Sequence, residues 1–324
     1  MSPSCQSKAR LHDLRSRLLG WYDQHRRPLP WRQNCDPYRV WVSEIMLQQT
    51  RVAAVRLRYE AFLKQFPCLR ALAGASEASV LAAWSGLGYY RRARNLHAAA
   101  KLVLHQRQGK FPQGSDEWRE LPGIGRYTAA AIASIAFQEP IAVVDGNVER
   151  VLARLLADSV RGEKLWQVAQ EFLDPKRPGD FNQGLMELGA TICLPIEPRC
   201  PECPLRRFCH SRGTRQRTKR SLPRSRREIA YSLVRKGNAI LLLQRAKTES
   251  LMPGMWELPE VSVEEMGAPP LFTLAHAITV TDFKVRVVES TPARAGTWIR
   301  VGRLTGLPLT GLTKKILRRA QIID

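Results

Sequence analysis

The chain has no run of about 18 consecutive apolar residues, the length a helix needs to cross a bilayer. Its first stretch, Met1 to Gly20, mixes Lys, Arg, His and Asp with Leu and lacks the apolar segment of a secretory leader. Neither membrane insertion nor secretion is therefore expected, and the expected location is the cytoplasm, in association with the nucleoid. Cysteine is scarce as well: there are seven in 324 residues, but four of them lie inside seventeen positions. In a reducing compartment such clustering points to a metal rather than to disulfides. Acidic residues are few, 29 Asp plus Glu against 51 Lys plus Arg, which leaves a net charge of +22. Each phosphate that a cationic protein neutralises releases a condensed counterion, so this imbalance favours a nucleic-acid partner. No basic amphipathic stretch is followed by an apolar anchor, which argues against a lipid surface. What is plentiful is apolar residues, 44% with eight Trp, enough to fill the cores of two domains.

From Leu11 to about Ala190 apolar residues recur at spacings of three and four, Ala is abundant and β-branched runs are short, which predicts an all-α region. Helices are expected over Leu11 to Arg26, Trp41 to Phe66, Glu77 to Gly86, Arg91 to Gln108, Tyr127 to Phe137, Gly146 to Leu156 and Leu165 to Phe172, with prolines between them. After the cysteines, residues 206 to 227 carry ten Arg or Lys and no acid, the composition of a solvated linker that can also meet DNA. Strand patterns then follow at Ala239 to Gln244, Lys284 to Val288 and Thr297 to Val301, and a last helix at Leu312 to Gln321. The expected architecture is multidomain, mostly α and then α+β. It comprises a catalytic and cysteine-bearing domain over 8–210, a basic linker over 211–227 and a smaller α+β domain over 228–324.

Cys193, Cys200, Cys203 and Cys209 are spaced C-x6-C-x2-C-x5-C. Four thiolates satisfy a tetrahedral zinc or a cubane iron–sulfur cluster, and spacing alone leaves both open. Leu121-Pro-Gly-Ile-Gly125 lies between two helical stretches, where Gly123 and Gly125 leave backbone N–H groups free to meet a DNA phosphate; a tight turn without ligand is the alternative. Glu44 stands in an otherwise apolar stretch, where burial would keep it protonated as a general acid or else pair it with a cation. Asp145 follows Ile141-Ala-Val-Val144 and opens a helix, a position suited to a capping residue that can also be catalytic.

The helix-hairpin-helix element resembles that of the DNA glycosylase superfamily that includes endonuclease III. Pro30-Trp-Arg32, Val42-Ser-Glu-Ile-Met-Leu-Gln-Gln-Thr-Arg51, Gly86-Leu-Gly-Tyr-Tyr-Arg91, the hairpin, Val144-Asp-Gly-Asn-Val-Glu-Arg150 and the four cysteines together resemble the MutY-type adenine DNA glycosylases over about residues 10 to 210. The resemblance implies a helical barrel with an iron–sulfur subdomain and a Nudix-like C-terminal domain. It implies a [4Fe-4S] cluster on the four cysteines and excision, by a monomer, of adenine mispaired with 8-oxoguanine or guanine in double-stranded DNA. It gives Glu44 proton delivery to adenine N7, Asp145 stabilisation of the sugar cation, and Tyr127 the orientation of both. Such a reaction needs an acid for the leaving base and an anion for the oxocarbenium-like sugar. Lyases of the superfamily carry a lysine at position 127, since a Schiff base requires an amine. Here there is Tyr127 and no Lys from 121 to 150, so little strand nicking is expected.

Reaching the base requires flipping it from the stack. The resemblance places Trp31, Arg32 and Gln183 around the flipped adenine, Gln49 and Tyr89 as wedges, and Thr50 and Leu87 near the opposite base. Gly254-Met-Trp-Glu-Leu-Pro-Glu260 is similar to the start of a Nudix box whose acidic remainder is missing, so no pyrophosphatase activity is expected. Where many relatives read 8-oxoguanine with Phe-Ser-His, this chain has Ile278-Thr279-Val280, which retains only the hydroxyl of Thr279.

Overall fold

The computed structural model describes residues 3–157, 160–211, 225–249, 251–261, 269–278, 281–289 and 296–323. Most of the expected basic linker, and Thr279, lie outside the described residues. The chain divides into two compact units, one of Met1–Leu63, Cys68–Ala73 and Ala98–Lys219 and the other of Lys64–Pro67, Gly74–His97 and Arg220–Asp324. The expected order, helices first and a small α+β body after them, is what the chain forms.

Among the described residues the helices are α1 Pro3–His25, α2 Pro37–Leu47, α3 Val52–Gln65, α4 Leu69–Gly74, α5 Glu77–Ala83, α6 Arg91–Gln106, α7 Ser115–Arg119, α8 Arg126–Phe137, α9 Gly146–Leu156, α10 Gly162–Phe172, α11 Pro178–Thr191 and α12 Gly311–Arg319. In the first unit, α9 buries Val148, Val151, Leu152 and Leu155, the spacing of one helical face, against Leu14 and Leu18 of α1, Leu165 and Ala169 of α10, and Phe181, Leu185 and Leu188 of α11. Leu205 and Phe208 from the cysteine segment join the same core. Helix α8 is apolar and small-sided, buried from Thr128 to Ile135, and packs against α2, α7 and α11.

The single helix expected from Trp41 to Phe66 is two. Gln49 takes φ +53°, which ends α2, and the Thr50 hydroxyl donates to the Gln48 carbonyl at 3.2 Å. A side chain that bonds the local backbone competes with the helical ladder, and apolar periodicity does not register that competition. Helix α11 has no counterpart among the expected helices; its run holds a proline and three glycines, residues that weaken a helical pattern. The glycines instead permit contact: a Cβ at Gly179 would stand 2.6 Å from the Ser134 carbonyl oxygen and 2.8 Å from Ile135 Cα, and one at Gly189 would stand 2.6 Å from Asn147 Cβ.

In the second unit the strands are β1 Ser225–Ser232, β2 Arg235–Lys236, β3 Ala239–Gln244, β4 Trp256–Glu257, β5 Glu260–Val261, β6 Phe272–Ile278, β7 Thr281–Val288 and β8 Thr297–Arg300. One sheet runs β5-β1-β7-β6, with β1 parallel to β7 in the register Ser225↔Thr281 to Ser232↔Val288, and β6 antiparallel to β7. The other runs β2-β3-β4, with β8 on β3. Their shared core is Ile240, Leu242, Val285 and Val287 under Leu312, Ile316 and Leu317 of α12, a helix capped by Thr310. The Gly74–His97 segment docks on this body: Tyr90 Oη donates to the Leu309 carbonyl at 3.4 Å and Lys314 Nζ to Ser85 Oγ at 3.5 Å.

Because both nearest atoms to a Cβ at Gly179 are backbone, Gly179→Ala must part α11 from α8. A loss of about 1–3 kcal/mol is expected, read from denaturant melts; a variant as stable as the parent would refute the close approach.

Candidate active site

Helix α2 begins at Asp36, whose carboxylate accepts from the Arg39 N–H at 2.9 Å, with Pro37 in the first turn. This start sets the phase that turns Glu44 inward among Trp41, Val42, Ile45 and Met46, all buried. Helix α8 packs on α2 and brings Tyr127 to it: the phenol donates to Glu44 Oε2 at 3.5 Å and lies 3.3 Å from Met186 Sδ of α11. Below the same pair, Gln48 Nε2 donates to Thr128 Oγ1 at 2.9 Å. Burial, reinforced by the charge of Asp145, pushes the Glu44 carboxyl up to about 7, while Arg32 and the Tyr127 hydroxyl pull the other way. Burial and the two carboxylates also hold the Tyr127 phenol well above its ordinary range, so it stays a neutral donor.

Asp145 caps α9. Its Oδ1 accepts from the N–H groups of Asn147 at 2.9 Å and Val148 at 2.7 Å, and its Oδ2 from Asn147 Nδ2 at 2.9 Å. Three donors hold the carboxylate in one orientation. The network continues outward. Arg150 Nη2 donates to Asn147 Oδ1 at 2.8 Å and to the Gly189 carbonyl at 2.8 Å, and its Nε donates to the Cys193 carbonyl at 2.8 Å.

The cysteine segment wraps the end of α9. His210 and Ser211 N–H groups donate to the carbonyls of Leu155 and Arg154 at 3.1 Å each. The buried Arg154 guanidinium donates to Cys193 Sγ at 3.3 Å and to the Leu194 and Pro195 carbonyls, and the Cys209 thiol donates to the Arg154 carbonyl at 3.3 Å. Burial pushes the Cys203 thiol up to about 11 against an opposing N–H from Leu205, and the charges of Cys193, Cys209 and Cys200 push it the same way as burial. The four thiols thus share one electrostatic neighbourhood. Among the described residues no group of three or more His, Cys, Asp or Glu side chains is arranged to hold a metal ion. In this segment Arg206 is exposed, and Arg207 pairs with Asp13 and lies over Phe208.

Trp31 is buried edge-on to Tyr59 at 5.5 Å, and Gln183 is half-buried on α11. Arg32 lies over the Tyr22 ring at 5.5 Å and donates to Glu187 at 2.9 Å. Gly123 takes φ +79°, and Gly125 caps α8 with no side chain, which leaves the helix N-terminus open at the hairpin. Gln49 is exposed and Thr50 half-buried. In the second unit, Gly86 and Gly88 have positive φ and Tyr89, 53% exposed, takes φ +47°. Arg92 stacks on Trp84 at 5.3 Å and on Tyr89 at 5.6 Å and donates to the Leu87 and Gly88 carbonyls. Leu87 itself is buried, so the free protein does not present it at the surface. Sequence reasoning passed over Gln48, Asn147, Arg150, Arg154, Met186 and Glu187. One signal was available: Glu187, like Glu44, is an acid within an apolar run, Leu185-Met-Glu-Leu188.

Residues 42–175 match the family model of the HhH-GPD superfamily of base excision DNA repair proteins. The chain is 47% identical over 213 residues to the human protein named adenine DNA glycosylase, which covers 61% of this chain and 39% of the relative. It is 39% identical over 315 residues to the rat protein of that name, 78% of this chain and 61% of the relative, and 41% identical to one from Buchnera aphidicola, 59% and 57%. The chain therefore spans about two fifths to three fifths of the length of these relatives. Among solved structures, a thermostable thymine-DNA glycosylase superposes with a TM-score of 0.60 at 29% identity, over 64% of this chain and 98% of that one. An endonuclease III–DNA complex shares the fold at a TM-score of 0.53 and 22% identity, over 65% and 97%. The buried carboxyl, the capped aspartate and the glycine hairpin all fall within residues 42–175, the span that matches the HhH-GPD superfamily of base excision DNA repair proteins.

Proposed function

We propose that this protein is a monofunctional adenine DNA glycosylase that hydrolyses the N-glycosidic bond of adenine mispaired with 8-oxoguanine or guanine in double-stranded DNA. The observation that carries the reading is the pair of unlike carboxyls: Glu44 is buried and holds its proton to about neutral pH, while Asp145 is fixed by three N–H donors at a helix start. The curated relatives' name, adenine DNA glycosylase, supports adenine as the base.

In this reaction Glu44 gives its proton to adenine N7 as the bond between the sugar and the base breaks, and the electron pair of that bond leaves with adenine. The Asp145 carboxylate faces the positive charge that develops on the sugar, and water completes the hydrolysis. Tyr127 donates to Glu44 and so orients its carboxyl; having no amine, it forms no Schiff base. Trp31, Arg32 and Gln183 border the adenine pocket. The open backbone at Gly123 and Gly125 meets a phosphate, Gln49 and Tyr89 enter the vacated stack, Thr50 and Leu87 lie by the opposite base, and Thr279 reads 8-oxoguanine.

Cys193, Cys200, Cys203 and Cys209 hold a [4Fe-4S] cluster. The donor set fits in kind, four thiols that influence one another's charge with the buried Arg154 guanidinium beside Cys193, although their side chains do not stand gathered as a metal-holding group. When bound, the cluster supplies a rigid link among four sulfurs that fastens the segment 193–209 to the end of α9. The protein acts as a monomer in the cytoplasm, at the nucleoid.

Four outcomes are expected. Glu44→Gln and Asp145→Asn each lose adenine release by about 100-fold or more in single-turnover assays on A:8-oxoguanine and A:G duplexes, while duplex affinity in gel shifts persists; release at the parent rate by both would end the proposal, and nicking of product without heat or alkali would restore a lyase reading. Because the acid works only when protonated, the excision rate falls about tenfold per pH unit above pH 7. The folded protein binds the Glu44 proton more tightly than an ordinary glutamate of 4.5 does, so this group's contribution to stability is complete below 4.5 and lost as pH rises through about 7. That loss is at most about 3 kcal/mol, so Glu44→Gln melts above the parent at pH 8 and gains less at pH 5. Finally, the purified protein shows broad visible absorption near 400 nm, roughly the iron–sulfur charge-transfer region, and Cys203→Ser loses it; a colourless protein holding stoichiometric zinc would transfer the site to that metal.

A further inference from the structure

Glu187 is the most completely buried acid of the first unit, and the reaction just described leaves it without a role. Its side chain is 1% exposed, yet it keeps its charge: burial would raise its carboxyl, and the hydrogen bonds and charges of Arg27 and Arg32 outweigh burial and hold it below the usual range. Arg27 Nε and Nη2 donate to its two oxygens at 2.6 and 2.8 Å, the Arg27 N–H at 3.2 Å, and Arg32 Nη2 at 2.9 Å. The Arg32 guanidinium is held on its other side by the Tyr22 ring. Glu187 is thus the shared seat of two arginines that leave the chain just before and just after the Pro28-Leu-Pro30 turn. It follows Gln183 by four residues on the same face of α11, and the residue beside it, Met186, touches Tyr127.

A buried ion pair of this kind contributes little net stability compared with an apolar replacement, but it fixes geometry. We propose that Glu187 is a positioning residue: it clamps Arg32 between itself and the Tyr22 ring, and so fixes the cation that faces Glu44 at the base pocket. The proposal rests on the adenine glycosylase reading for its chemistry. The groups that face Glu44 are Asp145 from the start of α9, Tyr127 from α8 and Arg32 from the Pro30–Arg32 turn. Those that face Tyr22 are Arg26, Arg32, Asp180 and Glu187. Of these, Arg32 is the cation common to both, and Glu187 is its partner.

The experiment compares Glu187→Gln with Arg32→Gln by two readouts. One is the carboxyl 13C titration of Glu44, assigned by its absence in Glu44→Gln; the other is the alkaline limb of single-turnover adenine excision. Removing the Glu187 charge leaves both guanidiniums uncompensated, which moves the Glu44 midpoint down by about one pH unit, while removing Arg32 moves it up. A glutamate that merely stabilises the fold would lower the melting temperature in both variants and leave the midpoint in place, and that result overturns the proposal. If Glu187→Gln does not fold, Glu187→Asp carries the test. It keeps the charge, on an arm too short to seat both guanidiniums, and is expected to hold the parent midpoint and lose about tenfold in excision rate; the full parent rate would overturn the proposal. A parent protein that excises no adenine sinks the adenine reading alone, because the titration readout does not depend on activity.

Discussion

The close packing of α11 on α8 and α9 is the constraint on which the rest of the first unit depends. Gly179 admits the Ser134–Ile135 backbone and Gly189 admits Asn147, so the helix axes approach more nearly than any side chain at either glycine would permit. From that one helix, Met186 reaches Tyr127, Glu187 seats two arginines, the Gly189 carbonyl takes Arg150, and Cys193 at its end meets Arg154. The contribution of α11 is therefore alignment: four separate pieces of the site take their relative positions from a single rigid rod.

The same helix shows what a sequence does and does not reveal. Glu44 and Asp145 could be found from residue order, because an acid in an apolar run and an aspartate at a helix start each carry a local signature. The α9 boundaries followed from the same cap and from its one-faced spacing. Helix α11 escaped because its signature is tertiary: glycines that look like interruptions along the chain are contact points across it. The break at Gln48 to Thr50 escaped for the opposite reason, since a single backbone angle ends a helix whose apolar rhythm continues unchanged on both sides. Nothing in the neighbours of Arg150 and Arg154 along the chain marks the carbonyls and sulfur to which they donate.

In the second unit, β3 was legible because its Ile-Leu-Leu-Leu core is continuous. Strand β1 was not, because it begins as Ser-Arg-Arg-Glu at the end of a basic run and is buried only in its last three residues. Its parallel pairing with β7 joins segments that lie more than fifty residues apart, a relation that alternation within either strand does not encode.

Gln49 and Tyr89 occupy left-handed backbone conformations in which side chains other than glycine are strained by about 1 kcal/mol. Glycine at either position would relieve that strain and remove the exposed side chain in the same step. Selection of this protein for heat resistance alone would therefore tend to erase both of these exposed side chains. Thermal robustness and the exposed side chains assigned to the duplex in the proposed function pull in opposite directions at two single torsion angles.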